Sequence, residues 1–103
     1  MFDNSTRYIT KGIQQEIPIE LQLLLWRFID ALKDQMMEVD YLQVFELTIG
    51  KVGDLPFQMI IHREESPQYS KTYKILTKEV VDAKIFVIDD ENGHSTMMLA
   101  GEY

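Results

Sequence analysis

The feature that most constrains the fold of this chain is a long apolar stripe that begins near Pro18. Its apolar residues recur at steps of three and four: Leu21, Leu24, Leu25, Phe28, Ile29, Leu32, Met36 and Val39. At about 100° per residue, this spacing places them all on one side of a helix. Pro18 suits the first turn of a helix, and Glu16 and Glu20 suit the positive end of its dipole. The pattern predicts a helix of roughly five to six turns with one buried side.

The length and composition of the chain limit what this helix can pack against. The 103 residues are about one domain long, and a hydrophobic share of 46% is enough to close a core. The chain has no cysteine, which excludes disulfides, thiolate nucleophiles and cysteine-based zinc sites. We therefore expect one domain over residues 1–103, without a cofactor.

Strand-forming residues precede and follow the predicted helix. The segments rich in β-branched and aromatic residues are 7–11, 42–51, 57–63 and, more weakly, 70–76. The sequence VGDLP between the second and third of these carries turn residues and predicts a hairpin with a loop. Residues 77–82 suggest a single helical turn.

The clearest hairpin is predicted at the end of the chain. The segments KIFVIDDE and HSTMMLAG flank Asn92 and Gly93, the dipeptide best able to supply the two positive φ angles of a type I′ turn. A two-residue loop fixes the strand register. The expected pairs are Glu91 with His94, Asp89 with Thr96, Ile88 with Met97 and Phe86 with Leu99.

The order of these elements favours the α+β class over a parallel, doubly wound sheet, because the strands are joined by short connections. We predict one long amphipathic helix packed on an antiparallel sheet of four to six strands. The alternative is an N-terminal helix followed by a small Sm-like or SH3-like barrel.

The chain resembles a known family over most of its length. The segments RYITKGI, IPIELQLLLW, DYLQVFEL, IIHREESPQY and KIFVIDDENGHSTMMLAGEY are similar to small proteins of Gram-positive bacteria catalogued as domain of unknown function 960. The resemblance implies a stand-alone cytoplasmic protein of this size. It supplies no catalytic or ligand-binding residues.

The far side of the predicted helix carries a second apolar set. Ile19, Leu23, Trp26 and Met37 lie roughly 140° to 200° from Leu21 around the helix axis. A helix with one buried side does not normally expose a tryptophan, and Trp and Met are frequent in the centres of protein interfaces. These four residues therefore predict a partner interface, unless other parts of the chain cover them.

Both sides of the terminal hairpin are apolar as well. Phe86 and Ile88 alternate with Ile85 and Val87, whereas a sheet with one solvated side alternates apolar with polar residues. The first functional hypothesis is therefore a non-enzymatic protein interaction or structural module. It would self-associate as a homodimer or bind another protein through the far side of the helix or through the terminal hairpin.

A second hypothesis is a small nucleic-acid-binding adaptor. Lysines that alternate with tyrosines could contact phosphates while the rings stack on unpaired bases. The formal net charge of −7 and the pI of about 4.7 disfavour this partner and anionic membranes. The residues that would carry the contact are Tyr69, Lys71, Tyr73, Lys74 and Lys78.

A third hypothesis is a metal-dependent enzyme around His62 and Glu64, which would project from the same side of a strand. Two ligands do not make a site, and a solvated strand end explains the same residues. Asp89, Asp90 and Glu91 lack the spacing of a calcium loop. No nucleophile or phosphate-loop motif is present, and charged residues interrupt every apolar stretch before membrane-spanning length.

Overall fold

The computed structural model of the protein describes residues 2, 6–36 and 38–103. In chain order its elements are β1 (Thr6–Ile9), α1 (Lys11–Glu16), α2 (Ile19–Gln35), β2 (Leu42–Val52), β3 (Leu55–Glu65), β4 (Gln68–Ile75), β5 (Ala83–Asp89) and β6 (His94–Leu99), followed by a 3₁₀ turn at Ala100–Glu102. The strands form one six-stranded sheet in the order β1-β6-β5-β2-β3-β4. The strand β1 runs parallel to β6, and the other neighbours are antiparallel.

This arrangement confirms the predicted α+β class, with one main helix packed on a mostly antiparallel sheet. Within the described residues, β1 and β4 are the two edge strands of the sheet. The sheet is therefore open, and the alternative of a closed barrel is wrong. Neither helix within the described part of the chain is long and apolar enough to cross a bilayer.

The predicted apolar stripe of α2 lies against the sheet. Its buried members Leu21, Leu25 and Ile29 pack in one core cluster with sheet residues from the four central strands. These sheet residues are Phe45, Leu47, Ile60, Ile85, Val87 and Met97. The helix ends at Gln35, earlier than the stripe suggested, because Met36 is already in an extended conformation with φ −125° and ψ 141°.

Trp26 also belongs to this core, which corrects the expectation that it faces away from it. Only 8% of its surface is exposed. The guanidinium carbon of Arg7 lies 4.7 Å from the centroid of its ring, and the same guanidinium pairs with Asp30 of α2 at 2.5 Å. Arg7 lies in β1, so the edge strand widens the surface that the helix can bury. A helical wheel shows only the positions around one helix, so it does not show that Arg7 of another element covers Trp26.

The short helix α1 was not predicted. The hydroxyl oxygen of Thr10 accepts a hydrogen bond from the amide of Ile13 at 3.3 Å, which caps its first turn. The carboxylate of Glu102 accepts hydrogen bonds from the Thr10 hydroxyl at 2.6 Å and from the Gly12 amide at 3.1 Å. A helix of six residues with one buried side chain, Ile13, leaves almost no periodic signal in the sequence.

The tight turn is in the first hairpin rather than in the last. Val52 pairs with Leu55, so only Gly53 and Asp54 connect β2 to β3, in place of the longer loop predicted from VGDLP. Gly53 has φ +62°, the left-handed conformation that a two-residue hairpin loop demands of its first residue. The hairpin is therefore longer than predicted and projects as a two-stranded tip.

The loop of the last hairpin is one residue longer than predicted. The amide of Asp90 donates to the carbonyl of His94 at 3.0 Å, leaving three residues between them. The Asp90 carboxylate accepts the amides of Asn92 at 2.8 Å and of His94 at 3.2 Å, which stabilises this loop. The pairs are consequently shifted by one position, with Asp89 opposite Ser95 and with the remaining pairs Ile88–Thr96, Val87–Met97, Phe86–Met98 and Ile85–Leu99.

Residues 76–82 contain no helical turn. The side-chain amide of the buried Gln58 accepts from the Val81 amide at 2.8 Å and donates to the Val81 carbonyl at 2.9 Å. These two bonds hold the segment against β3.

The burial of Trp26 predicts a stability defect for Trp26→Ala. Truncating a buried tryptophan removes its apolar contacts and leaves a cavity, so we expect a loss of about 3 to 5 kcal/mol in the free energy of unfolding. Leu23→Ala is the matched control, because Leu23 lies on the same helix with 56% of its surface exposed; its expected loss is below about 0.5 kcal/mol. Urea unfolding of the two variants measures both values, and equal losses would contradict the placement of Trp26 in the core.

Candidate functional site

The helices cover one side of the sheet, and the opposite side carries a cluster of apolar side chains that a few charged residues interrupt. We call this surface the outer face. Strand pairing places on it seven apolar side chains from four neighbouring strands: Leu42 and Val44 of β2, Met59 and Ile61 of β3, Phe86 and Ile88 of β5, and Met98 of β6. Val44 at the centre is 4% exposed, and the other six are half-buried by their neighbours.

The outer face continues onto the tip of the first hairpin. Val52, Leu55 and Leu76 are 70%, 69% and 83% exposed, and Val52 and Leu76 line one cleft of about 190 Å³ together with Phe57. The ring of Phe57 lies over Gly50, where a Cβ atom would come within 2.3 Å of the ring. Glycine at this position therefore leaves the space that the Phe57 ring occupies.

The charged side chains of the outer face are of both signs. Arg63 pairs with Glu46 at 3.3 Å, while the ammonium groups of Lys74 and Lys84 lie 5.9 Å from the Phe57 ring and 5.8 Å from the Phe86 ring. Register also places Glu65 on this side. Within the paired strands that the structure describes, the outer face therefore carries three cations and two carboxylates, on a chain of net charge −7.

The four residues predicted as a helix interface are not together on one surface. Ile19 and Leu23 are 62% and 56% exposed, whereas Trp26 is buried beneath Arg7. Met37 lies outside the described residues. Part of the predicted apolar surface of α2 therefore remains open, and the predicted interface residues are reduced to Ile19 and Leu23.

The lysines and tyrosines of the predicted nucleic-acid contact also point in different directions. Register puts Tyr69, Lys71 and Tyr73 on the helix side of β4 and Lys74 on the outer face, and Lys78 follows the strand. The lysines are therefore divided between two sides of the sheet.

Both tyrosine rings already have aromatic neighbours within the chain. The Tyr73 ring stacks on Phe28 with centroids 3.9 Å apart, and Tyr69 meets His62 edge-on at 5.5 Å. The ammonium of Lys71 lies 5.2 Å from the Tyr73 ring. The expected row of free rings and cations is therefore not present on one surface of the described residues.

His62 and Glu64 lie in a buried polar cluster rather than at a solvated strand end. Gln43 lies between them: its side-chain nitrogen donates to Glu64 Oε1 at 2.7 Å and to the Asp40 carbonyl at 2.9 Å. The amide oxygen of Gln43 therefore faces His62, and the distance to Nε2 is 2.7 Å. This arrangement requires a proton on Nε2 of the imidazole.

The side chains of the cluster are buried. His62 is fully buried, Glu64 is 3% exposed, and the imidazole stacks on Phe45 with centroids 4.4 Å apart. Nδ1 of His62 and Oε2 of Glu64 have no hydrogen-bond partner, yet neither atom reaches the surface. Within the described ranges, no group of three or more acidic, histidine or cysteine side chains is placed to hold a metal ion.

The acidic residues of the last hairpin serve its loop. Asp89 is 6% exposed and accepts hydrogen bonds from the amides of Phe2 and Glu91. Hydrogen bonds from the backbone of Asn92 and then of His94 lower the pKa of Asp90. The carboxylates of Asp89 and Asp90 therefore already accept hydrogen bonds from the backbone, whereas a bound cation would need free carboxylate oxygens.

The burial of His62 predicts a loss of stability in mild acid. Burial lowers the pKa of the imidazole from 6.5 to about 4 in the folded state, so between these values the unfolded chain binds a proton that the folded chain does not. The contribution of the neutral His62 to the free energy of unfolding is fully present above pH 6.5 and falls by about 1.4 kcal/mol per pH unit as the pH drops towards 4.

Urea unfolding at about pH 7 and about pH 5 tests this dependence, and we expect the wild type to lose about 2 kcal/mol more than His62→Gln. An NMR titration of the His62 ring in the wild type checks the same group without a substitution. Equal losses, or a ring that titrates near 6.5, would contradict the buried neutral imidazole.

Comparison with known proteins adds information on the fold. The chain resembles the crystal structure of a protein of unknown function from Enterococcus faecalis, with a TM-score of 0.77 and 21% sequence identity, over 100% of this chain and 98% of that chain. At this identity the likeness shows the fold alone. A comparison with curated proteins found no match.

A family sequence model described as a staphylococcal protein of unknown function matches residues 6–102. The matched range includes every strand and both helices of the structure. The chain therefore belongs to the family catalogued as domain of unknown function 960.

Proposed function

We propose that this protein is a non-enzymatic interaction module that self-associates as a homodimer through the outer face. The observation that supports it is an open sheet on which the described helices lie on one side and seven apolar side chains lie on the other. Large contiguous apolar patches on a protein surface usually mark an interaction site. Burial of such a patch contributes about 25 cal/mol per Å² of apolar area.

The charges of the chain favour a second copy as the partner. A two-fold interface places the same surface on both sides, so the cations and carboxylates of one outer face meet those of the other. Elsewhere on a chain of net charge −7, two copies would bring mainly like charges together. The outer face is therefore an approach on which opposite charges can meet.

The shape of the sheet supports the same contact. Two sheets pack face to face about 10 Å apart when their inner side chains interdigitate. Half-buried side chains such as Ile61, Ile88 and Met98 would supply that layer, and the projecting hairpin tip would carry Val52 and Leu55 onto the partner. The proposal places this dimer in the cytoplasm, as the family resemblance implies.

The proposal predicts that Ile88→Lys separates the dimer without unfolding the chain. An unpaired ammonium group in a closed apolar interface is costly, so the dissociation constant should rise more than about tenfold. Gln35→Lys is the matched control, because it adds the same charge at the exposed end of α2, on the helix side. Light scattering measures the mass, and circular dichroism confirms the fold.

We expect a dimer mass for the wild type and for Gln35→Lys, and a monomer mass for Ile88→Lys. A wild type that stays monomeric at about 100 μM, far above the dissociation constants of stable dimers, would refute the homodimer. A dimer that persists in Ile88→Lys would refute the outer face as its interface.

A further inference from the structure

A second candidate surface, with both polar and apolar lining, lies on the helix side, where α1 meets α2. It is a cleft of about 430 Å³ whose apolar lining includes Ile9, Ile17 and Ile19. Ile9 is 40% and Ile19 is 62% exposed, whereas Ile17 is 3% exposed and belongs to the core. The volume lies in the usual range of binding clefts, about 300 to 1,000 Å³. The cleft therefore has room for a large apolar side chain.

The charged groups of the cleft are carboxylates. Glu16 at the end of α1 and Glu79 of the 76–82 segment both line it, and its remaining polar lining consists of glutamine side chains. No lysine or arginine is among the lining residues described. Two carboxylates beside exposed isoleucine side chains complement a ligand that carries positive charge next to an apolar group.

Hydrogen bonds preform the walls of the cleft. The amide nitrogen of Gln22, which is 5% exposed, donates to the Ile17 carbonyl at 2.8 Å and to the Ile13 carbonyl at 3.4 Å. On the other side, the bonds between Gln58 and Val81 hold the segment that carries Glu79. The site is therefore already ordered, and binding of a ligand would cost less free energy.

We propose that this cleft binds a short basic segment of another protein. A large apolar side chain of that segment packs against Ile9 and Ile19, and neighbouring lysine or arginine side chains pair with Glu16 and Glu79. The site is on the opposite side of the sheet from the outer face. A dimer formed through the outer face would therefore present two such clefts, and binding in the cleft does not depend on dimerisation.

The experiment measures fluorescence anisotropy with a short labelled peptide of leucine and lysine, and with a control peptide in which glutamate replaces lysine. We expect saturable binding of the basic peptide alone. Ile19→Ser should weaken it about tenfold through lost apolar contact. Glu16→Gln and Glu79→Gln should each weaken it about two- to fivefold, the range of exposed ion pairs.

Three matched variants test whether the peptide binds in the cleft rather than elsewhere on the chain. Glu38→Gln removes the same charge beyond the far end of α2, Leu23→Ser removes an exposed apolar residue one helical turn from Ile19, and Ile88→Lys alters the outer face. Each should bind the peptide as the wild type does. The unchanged affinity that we expect for Ile88→Lys does not depend on whether the proposed dimer forms. This variant therefore separates a failure of the cleft proposal from a failure of the dimer proposal.

Three results would overturn the proposal. The first is the absence of saturable binding of the basic peptide. If Ile19→Ser then also lowers the mass measured by light scattering, the occupant of the cleft is a second copy of the chain. The second is an equal loss in Glu38→Gln and Glu79→Gln, which indicates general attraction to an acidic chain. The third is an equal loss in Leu23→Ser and Ile19→Ser, which assigns the contact to the exposed side of α2.

Discussion

Burial of the apolar side of α2 on one side of an open sheet is the interaction on which the other features depend. Leu21, Leu25, Trp26 and Ile29 share one core with the central strands, and this single helix supplies most of the cover. Because both helices contribute their buried residues on that side, no helix of the described chain covers the side chains that alternate to the other side of the sheet, where the Tyr103 ring meets Phe86 edge-on at 5.6 Å. The outer face is a direct consequence of having one helical layer on a sheet with two apolar sides.

The elements with a regular apolar period were predictable from the sequence, and those that depend on a single contact were not. The stripe from Leu21 to Leu32 repeats over several turns, so α2 was clear, whereas α1 depends on one cap at Thr10 and one buried Ile13. The last hairpin was recognised from its composition, but its register was wrong because the Asp90 carboxylate stabilises a loop one residue longer. Side-chain hydrogen bonds of this kind leave no periodic signal.

Only part of the candidate site was predictable from the sequence. Alternation within the terminal hairpin indicated that both of its sides are apolar, and this is the part of the outer face that sequence alone could identify. The contribution of Leu42, Met59 and Ile61 required the strand order, which places β5 next to β2 and β2 next to β3. Trp26 was placed wrongly because the cover from Arg7 comes from a strand distant in sequence.

The most direct test of the central claim, that a second copy covers the outer face, is an isotope-filtered NMR measurement on a mixture of labelled and unlabelled wild-type chains. Nuclear Overhauser effects between the two kinds of chain identify the methyl groups that touch the partner. The account predicts such effects at the methyl groups of Met59, Ile61, Ile88 and Met98, and none at Leu25 or Ile29, which the core encloses. Intermolecular effects that arise only from Ile19 and Leu23, or none at all, would contradict it.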